Sequence, residues 1–251
     1  MSAWRAKRQI SYLFSAVLVI ALIVGGIYWW TRPAATCFDG VLNQDEVGVD
    51  CGGQCERICP MALLPLKTLW SRAVAITPGM YNAVALIENP NSQAEIKDLN
   101  YRFKLLDSAG QVLLTREGKI NIGTDEKIVI FEGGLAPVAG EIARAFIEFP
   151  NDPKWLPKVE ERPLLRVSQK SFIANETPKL EAIITNESVL DLENVQVVTV
   201  LSDAEGNIIS TSATVLERLA RLSSYGLTFT WPAPFSAVPT FIDFYPRIIG
   251  R

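Results

Sequence analysis

All four cysteines of this chain fall in one 23-residue window, as Cys37, Cys51, Cys55 and Cys59. In an oxidising compartment four clustered thiols form two disulfides, and sequence leaves three connectivities open. A segment this short has almost no core, so crosslinks must replace apolar burial. The competing chemistry is a zinc ion held by four thiolates. The spacing after Cys51, three intervening residues and then three more, is not that of paired C-x-x-C hooks.

The same window is acidic. Asp39, Asp45, Glu46, Asp50 and Glu56 face only Arg57, and Asn43 adds a further oxygen. Calcium favours oxygen clusters of this kind. An EF-hand register started at Asn43 puts Asp45 at the third position and Gly48 at the turn glycine. It then fails, because Val47 takes the fifth position and Gln54 the place of the final Glu. Two readings stay open: a solvated acidic surface, or calcium bound in another geometry by Asp39, Asn43, Asp45, Glu46 and Asp50. No other cofactor is expected.

The rest of the chain excludes much familiar chemistry. Histidine is absent. His-dependent triads, His general bases and His-ligated metals are therefore ruled out. No nucleophile-elbow, phosphate-loop or dinucleotide-binding glycine pattern occurs. A hydrolase built on paired carboxylates is the enzymatic alternative, and nothing marks such a pair. The expectation is a non-enzyme.

The elements that position the cysteine window come next. From Ile10 to Trp30 no residue is charged, and eleven are Leu, Ile, Val or Phe. Such a run crosses a hydrocarbon core of roughly 30 Å as a helix. Tyr28, Trp29 and Trp30 close it with rings that prefer the headgroup level. Arg5, Lys7 and Arg8 precede the span. By the positive-inside tendency residues 1–9 are a cytoplasmic tail, 10–30 a transmembrane helix, and everything beyond lies outside the cytoplasm. The cysteines then sit just outside an inner membrane, where disulfides persist. Cleavage near Pro33-Ala34-Ala35-Thr36 is the rival reading, against which the long core and bulky aromatic end argue. Net charge is −3 overall and +3 in the first nine residues, which leaves −6 for the remainder. With no basic patch, nucleic acid is not an expected partner.

Beyond Pro60 the chain turns to short apolar alternations broken by turn residues. Strands are predicted at 68–76, 81–88, 99–106, 111–115, 127–131 and 143–149, then at 180–185, 195–201, 207–211, 225–231 and 240–244. The segment Leu99-Asn100-Tyr101-Arg102-Phe103 through Asp107-Ser108-Ala109-Gly110-Gln111 aligns with Val195-Gln196-Val197-Val198-Thr199 through Asp203-Ala204-Glu205-Gly206-Asn207, 96 residues on. Two copies predict two domains of one fold. Many short strands with regular turns point to Ig-like β-sandwiches at 61–152 and 164–251. A Pro-rich linker (153–163) should stiffen the junction, after a disulfide module at 37–60. The fold class is mainly β: a transmembrane helix, a small disulfide module and two tandem Ig-like sandwiches.

Two resemblances follow from these residues. The window reads C-x-D-G-x-x-N-x-x-E-x-G-x-D-C-G-G-x-C-x-x-x-C, which resembles a cysteine motif of extracytoplasmic bacterial proteins. The repeats resemble the FxLYD family of bacterial sandwich domains. Phe103-Lys104-Leu105-Leu106-Asp107 carries the name motif with Leu106 in place of Tyr, and Thr199-Val200-Leu201-Ser202-Asp203 keeps the Leu and the Asp. The turn Asn89-Pro90-Asn91 is similar to that of the related late-embryogenesis-abundant-type sandwich. These resemblances imply an envelope setting and no assigned chemistry.

The function expected is presentation of two Ig-like domains for binding other envelope proteins or for envelope assembly. The alternative is an accessory or sensor subunit of a membrane transport or secretion complex, using Gly25-Gly26 for close helix packing. Three further features carry bland readings. Asn175 and Asn186 begin glycosylation sequons that arise readily by chance. Trp155 and Trp231 are read as seam or core residues rather than stacking platforms. Leu216–Leu222 is read as one or two helical turns.

Overall fold

The computed structural model describes residues 2–31, 36–43, 45–55, 57–59, 63–158 and 162–249. The side chains of residues 2–8, Arg5, Lys7 and Arg8 among them, lie outside the described set, as do Pro33, Ala34, Ala35, Glu56 and residues 159–161 of the proposed linker.

One helix opens the chain, α1 (Ser2–Thr31). Its apolar stretch Tyr12–Trp30 has a mean hydropathy of 2.2, and none of it is buried among the described residues. Trp29 and Trp30 are 84% and 89% exposed. A helix this long, this apolar and this uncovered can cross a membrane as an anchor or serve as a signal.

Residues 57–251 form one compact unit, built entirely from antiparallel strands. The first half holds β1 (Lys67–Thr77), β2 (Met80–Asn89), β3 (Ala94–Leu106), β4 (Val112–Ile122), β5 (Glu126–Leu135), β6 (Arg144–Glu148) and β7 (Trp155–Pro157). The second holds β8 (Leu165–Ile173), β9 (Lys179–Asn186), β10 (Leu192–Ser202), β11 (Ile208–Leu219), β12 (Ser224–Thr230) and β13 (Phe241–Ile248). The first half makes sheets β1-β2-β5 and β4-β3-β6, with β7 added to β3; the second makes β8-β9-β12 and β11-β10-β13. No sheet mixes strands of the two halves, and both halves use the same strand order.

Period-2 alternation explains each sandwich. In β2, Tyr81, Ala83, Ala85 and Ile87 face Phe103, Leu105, Ile120 and Ile122 of the opposing sheet. In β10, Val195, Val197 and Leu201 face Leu180, Ile184 and Phe229. The other faces of these two strands are buried as well. Val74, Val84, Leu86 and Val129 of the first half pack on Val198 and Val200 of the second. The four sheets therefore stack in one series, with the β1-β2-β5 sheet against the β11-β10-β13 sheet. A polar link also crosses the seam: Asn82 Nδ2 donates to the Thr211 carbonyl at 3.1 Å, an oxygen that Trp231 Nε1 of the second half also reaches at 3.3 Å.

The hairpin turns of the two halves share a set of equivalent bonds. The N–H of Asp107 donates to the Gln111 carbonyl and that of Asp203 to the Asn207 carbonyl, each at 3.0 Å. The carboxylates reach forward to the backbone N–H of Gln111 at 2.8 Å and of Asn207 at 2.7 Å. Gly110 and Gly206 take φ of 87° and 82°, which glycine alone adopts freely.

Three local expectations change. Trp155–Pro157, read as linker, is strand β7, paired with Ala94, Glu95 and Ile96. Its one proline, Pro157, is tolerated because β7 is an edge strand. Leu216–Leu219 continues strand β11 and is not helical, because Leu216 and Leu219 pair with Val195 and Leu192. Strand β8 lies where no strand is predicted; its Ser168, Gln169, Lys170 and Ser171 interrupt the apolar alternation.

Candidate functional site

All four cysteines are in disulfides and none is free. Cys37 bonds Cys55 across 18 residues, with Cα atoms 5.6 Å apart. That bond removes two of the three connectivities. The oxidised sulfurs are closed to zinc. Cys37, Cys55 and Glu46 do come together, but the two sulfurs there are bonded to each other. Glu46 Oε1 lies 3.2 Å from Cys55 Sγ as a contact, since that sulfur has no hydrogen to donate.

The acidic residues are occupied by the loop's own donors. Asp39 accepts the N–H of Thr36 at 3.0 Å, the N–H of Val41 at 2.9 Å and Asn43 Nδ2 at 2.9 Å. The Thr36 bond first, then Asn43 and Val41, hold its carboxyl below the ordinary range. Asp50 receives the Gly40 N–H at 3.0 Å on both oxygens. Glu46 accepts the N–H groups of Asn43 and Asp50, each at 3.3 Å. Asp45 accepts Gln54 Nε2 at 3.3 Å. These carboxylates face N–H groups and so replace a core by fastening the loop to itself. Asn43 Oδ1 is buried without a partner among the described residues. Gly53 is forced by space, because a Cβ there would sit 1.7 Å from the Asp45 carbonyl oxygen at φ +61°.

In the sandwiches, several charged groups are matched. Arg102 pairs with Glu117 at 2.6 Å and with Glu148 at 3.0 Å, and Lys104 pairs with Glu148 at 2.7 Å. Tyr101 Oη donates to Glu132 Oε1 at 2.6 Å, and Arg116 Nε meets the other Glu132 oxygen at 3.0 Å. Burial first, then the Glu132 acceptor, push the Tyr101 phenol above its ordinary value. A cavity of about 800 Å³ includes Lys97, Glu126, Arg162 and Arg247 in its walls. Arg162 pairs there with Glu126 at 2.9 Å and donates to the Thr124 carbonyl. Arg247 Nε donates to Gln196 Oε1 at 2.6 Å, and burial lowers its pKa.

The residues that tempted a ligand reading serve the fold. Trp231 is buried, and Trp155 packs on the first core. Asn186 is fully buried; its Nδ2 donates to the carbonyls of Leu190 at 2.8 Å and Ala220 at 3.1 Å, so its amide is closed to modification as folded. Asn89 does the same work in the first half, donating to Ala94 and Gly123 at 2.8 and 2.7 Å. A buried side-chain amide satisfying backbone at a corner is the signal both Asn-x-polar turns carried.

No family model matches the chain, and no curated protein matches it. Among solved structures, red sea bream transglutaminase aligns with a TM-score of 0.21 at 10% identity, covering 74% of this chain and 31% of that one. The chain thus spans about a third of that protein's length. The likeness is too slight to transfer a fold or an activity.

Proposed function

We propose that this chain is a non-enzymatic, single-pass envelope protein that presents two Ig-like domains to other envelope proteins. The carrying observation is the uncovered helix, apolar from Tyr12 to Trp30, joined to a disulfide-closed loop and a body of stacked sandwiches. Arg5, Lys7 and Arg8 ahead of the span favour an N-terminus in the cytoplasm of an inner membrane. Disulfides then form on the far side, as the compartment allows. The tandem arrangement reads as a repeated FxLYD-like module, with docking on a sheet face or at a strand edge. Calcium remains a proposal for the acidic loop, with Asp39, Asn43, Asp45, Glu46 and Asp50 as its donors.

The test is chemical crosslinking on intact cells, followed by carbonate extraction and identification of the adducts. The reading expects a chain that resists carbonate extraction and carries crosslinks from residues 57–251 to other envelope proteins. Release by carbonate, or crosslinks only to cytoplasmic proteins, would overturn it.

A further inference from the structure

Of nine arginines described on the sandwiches, five form ion pairs; Arg72, Arg144, Arg221 and Arg247 form none among the described residues, and of these four only Arg72 and Arg144 share a trough. Arg102, Arg116, Arg162, Arg166 and Arg218 each pair with a carboxylate. Arg72 and Arg144 do not: among the described residues the only partner found for Arg72 is the Ser71 carbonyl, at 3.0 Å, and Arg144 makes no ion pair. Both are exposed, and both line the same trough of about 530 Å³.

That trough runs between β1 and β6, the edge strands of the two sheets of the first sandwich. Its wall includes Ala73, Ala145, Phe146 and Ile147, and it holds no carboxylate. Phe146 is 53% exposed, although an aromatic ring is costly to leave in water. Among the described residues β1 is hydrogen-bonded only to β2, and β6 only to β3, so each leaves one backbone edge without a strand there. Two unmatched guanidinium groups over an apolar floor, on a chain of net charge −3, complement carboxylates alternating with apolar side chains.

We propose that the trough between β1 and β6 docks an extended acidic segment of a partner protein, its carboxylates meeting Arg72 and Arg144 and its apolar side chains lying on Ala73, Ala145, Phe146 and Ile147. This rests on the protein-binding reading above and gives it a place and a partner chemistry. A concave trough beside two open strand edges suits an extended chain better than a flat lipid surface.

The test pans a displayed library of random heptapeptides on the full chain in nanodiscs, with the Arg72→Glu/Arg144→Glu double variant as the counter-target. Thermal melting checks that the variant is folded. Enrichment of peptides alternating Asp or Glu with apolar residues is expected, with affinity reduced about tenfold or more by the double variant. Matched peptides carrying Lys in place of the acids should bind that variant instead. No acidic enrichment, or enrichment that survives the double variant, would overturn the proposal. Enrichment absent while phosphatidylserine vesicles bind through the same two arginines would also overturn it, in favour of a lipid surface. The crosslinking experiment separates the two readings: envelope adducts that persist in the double variant sink the trough and leave protein binding standing, whereas loss of those adducts supports it.

Discussion

Val198→Asp should split the unfolding of residues 57–251 into two transitions. Val198 sits in β10 with its side chain in the seam, fully buried against the first half, while its neighbour Val197 faces the core of the second sandwich. Six buried residues make the seam: Val74, Val84, Leu86, Val129, Val198 and Val200. At about 1.5–3 kcal/mol for each buried aliphatic side chain, the seam contributes on the order of 10 kcal/mol, as an upper estimate. That is comparable to the stability of a whole domain. An Asp at this position loses one valine's share and leaves an unpaired carboxylate in apolar surroundings, which costs roughly 3–5 kcal/mol more. The seam should then open before either core does. Calorimetry on the wild-type chain should show one transition whose van't Hoff and calorimetric enthalpies agree. The variant should show two, the lower-melting one shifted most. Val197→Asp, one residue earlier, should instead unfold the second sandwich outright. A single transition at the wild-type midpoint for Val198→Asp would refute the assignment of that face to a structural seam.

Three further outcomes follow from particular residues. Thr199 is fully buried with a hydroxyl that has no partner among the described residues, so Thr199→Val should raise stability by about 1 kcal/mol in urea denaturation. Gly53→Ala should prevent correct oxidation of the cysteine loop, seen as scrambled disulfides by non-reducing peptide mapping, because the added methyl overlaps the Asp45 carbonyl. Glu148, Glu181 and Asp191 are held below the ordinary carboxylate range, by Lys104 foremost, by Lys179 foremost and by the Arg221 N–H foremost respectively. Lowered native pKa values mean that their contribution is present above the unfolded carboxylate range and is lost as pH falls through the lowered values. Melting followed against pH should show stability declining on that acid side, with Glu148→Gln flattening the decline.

The sequence made some of this plain and hid the rest for physical reasons. The helix is legible because no charge interrupts Ile10–Trp30. Strands such as β3 are legible because Tyr101, Phe103 and Leu105 alternate with Asn100, Arg102 and Lys104. The seam was signalled too, since Val195–Leu201 has little alternation and a near-continuous apolar run marks a strand buried on both faces. Which surface covers that second face is a long-range fact that no local pattern carries. β7 was hidden by Pro157 and the flanking Pro153, and β8 by its polar run. In the acidic window the residue types are compatible with a cation or with loop fastening. The carboxylates accept N–H groups of the loop itself, and composition cannot give the direction of those groups. The unmatched pair Arg72 and Arg144 lies 72 residues apart and becomes a pair only when β1 and β6 meet.

The central claim is an exported body on a membrane anchor, with its cysteines oxidised. It is tested most directly by treating intact spheroplasts with protease and, separately, with a membrane-impermeant maleimide before and after reductant. The account predicts that residues 57–251 are digested from outside without lysis, and that Cys37, Cys51, Cys55 and Cys59 take up label only after reduction. A chain protected until lysis, or cysteines labelled without reductant, would contradict it.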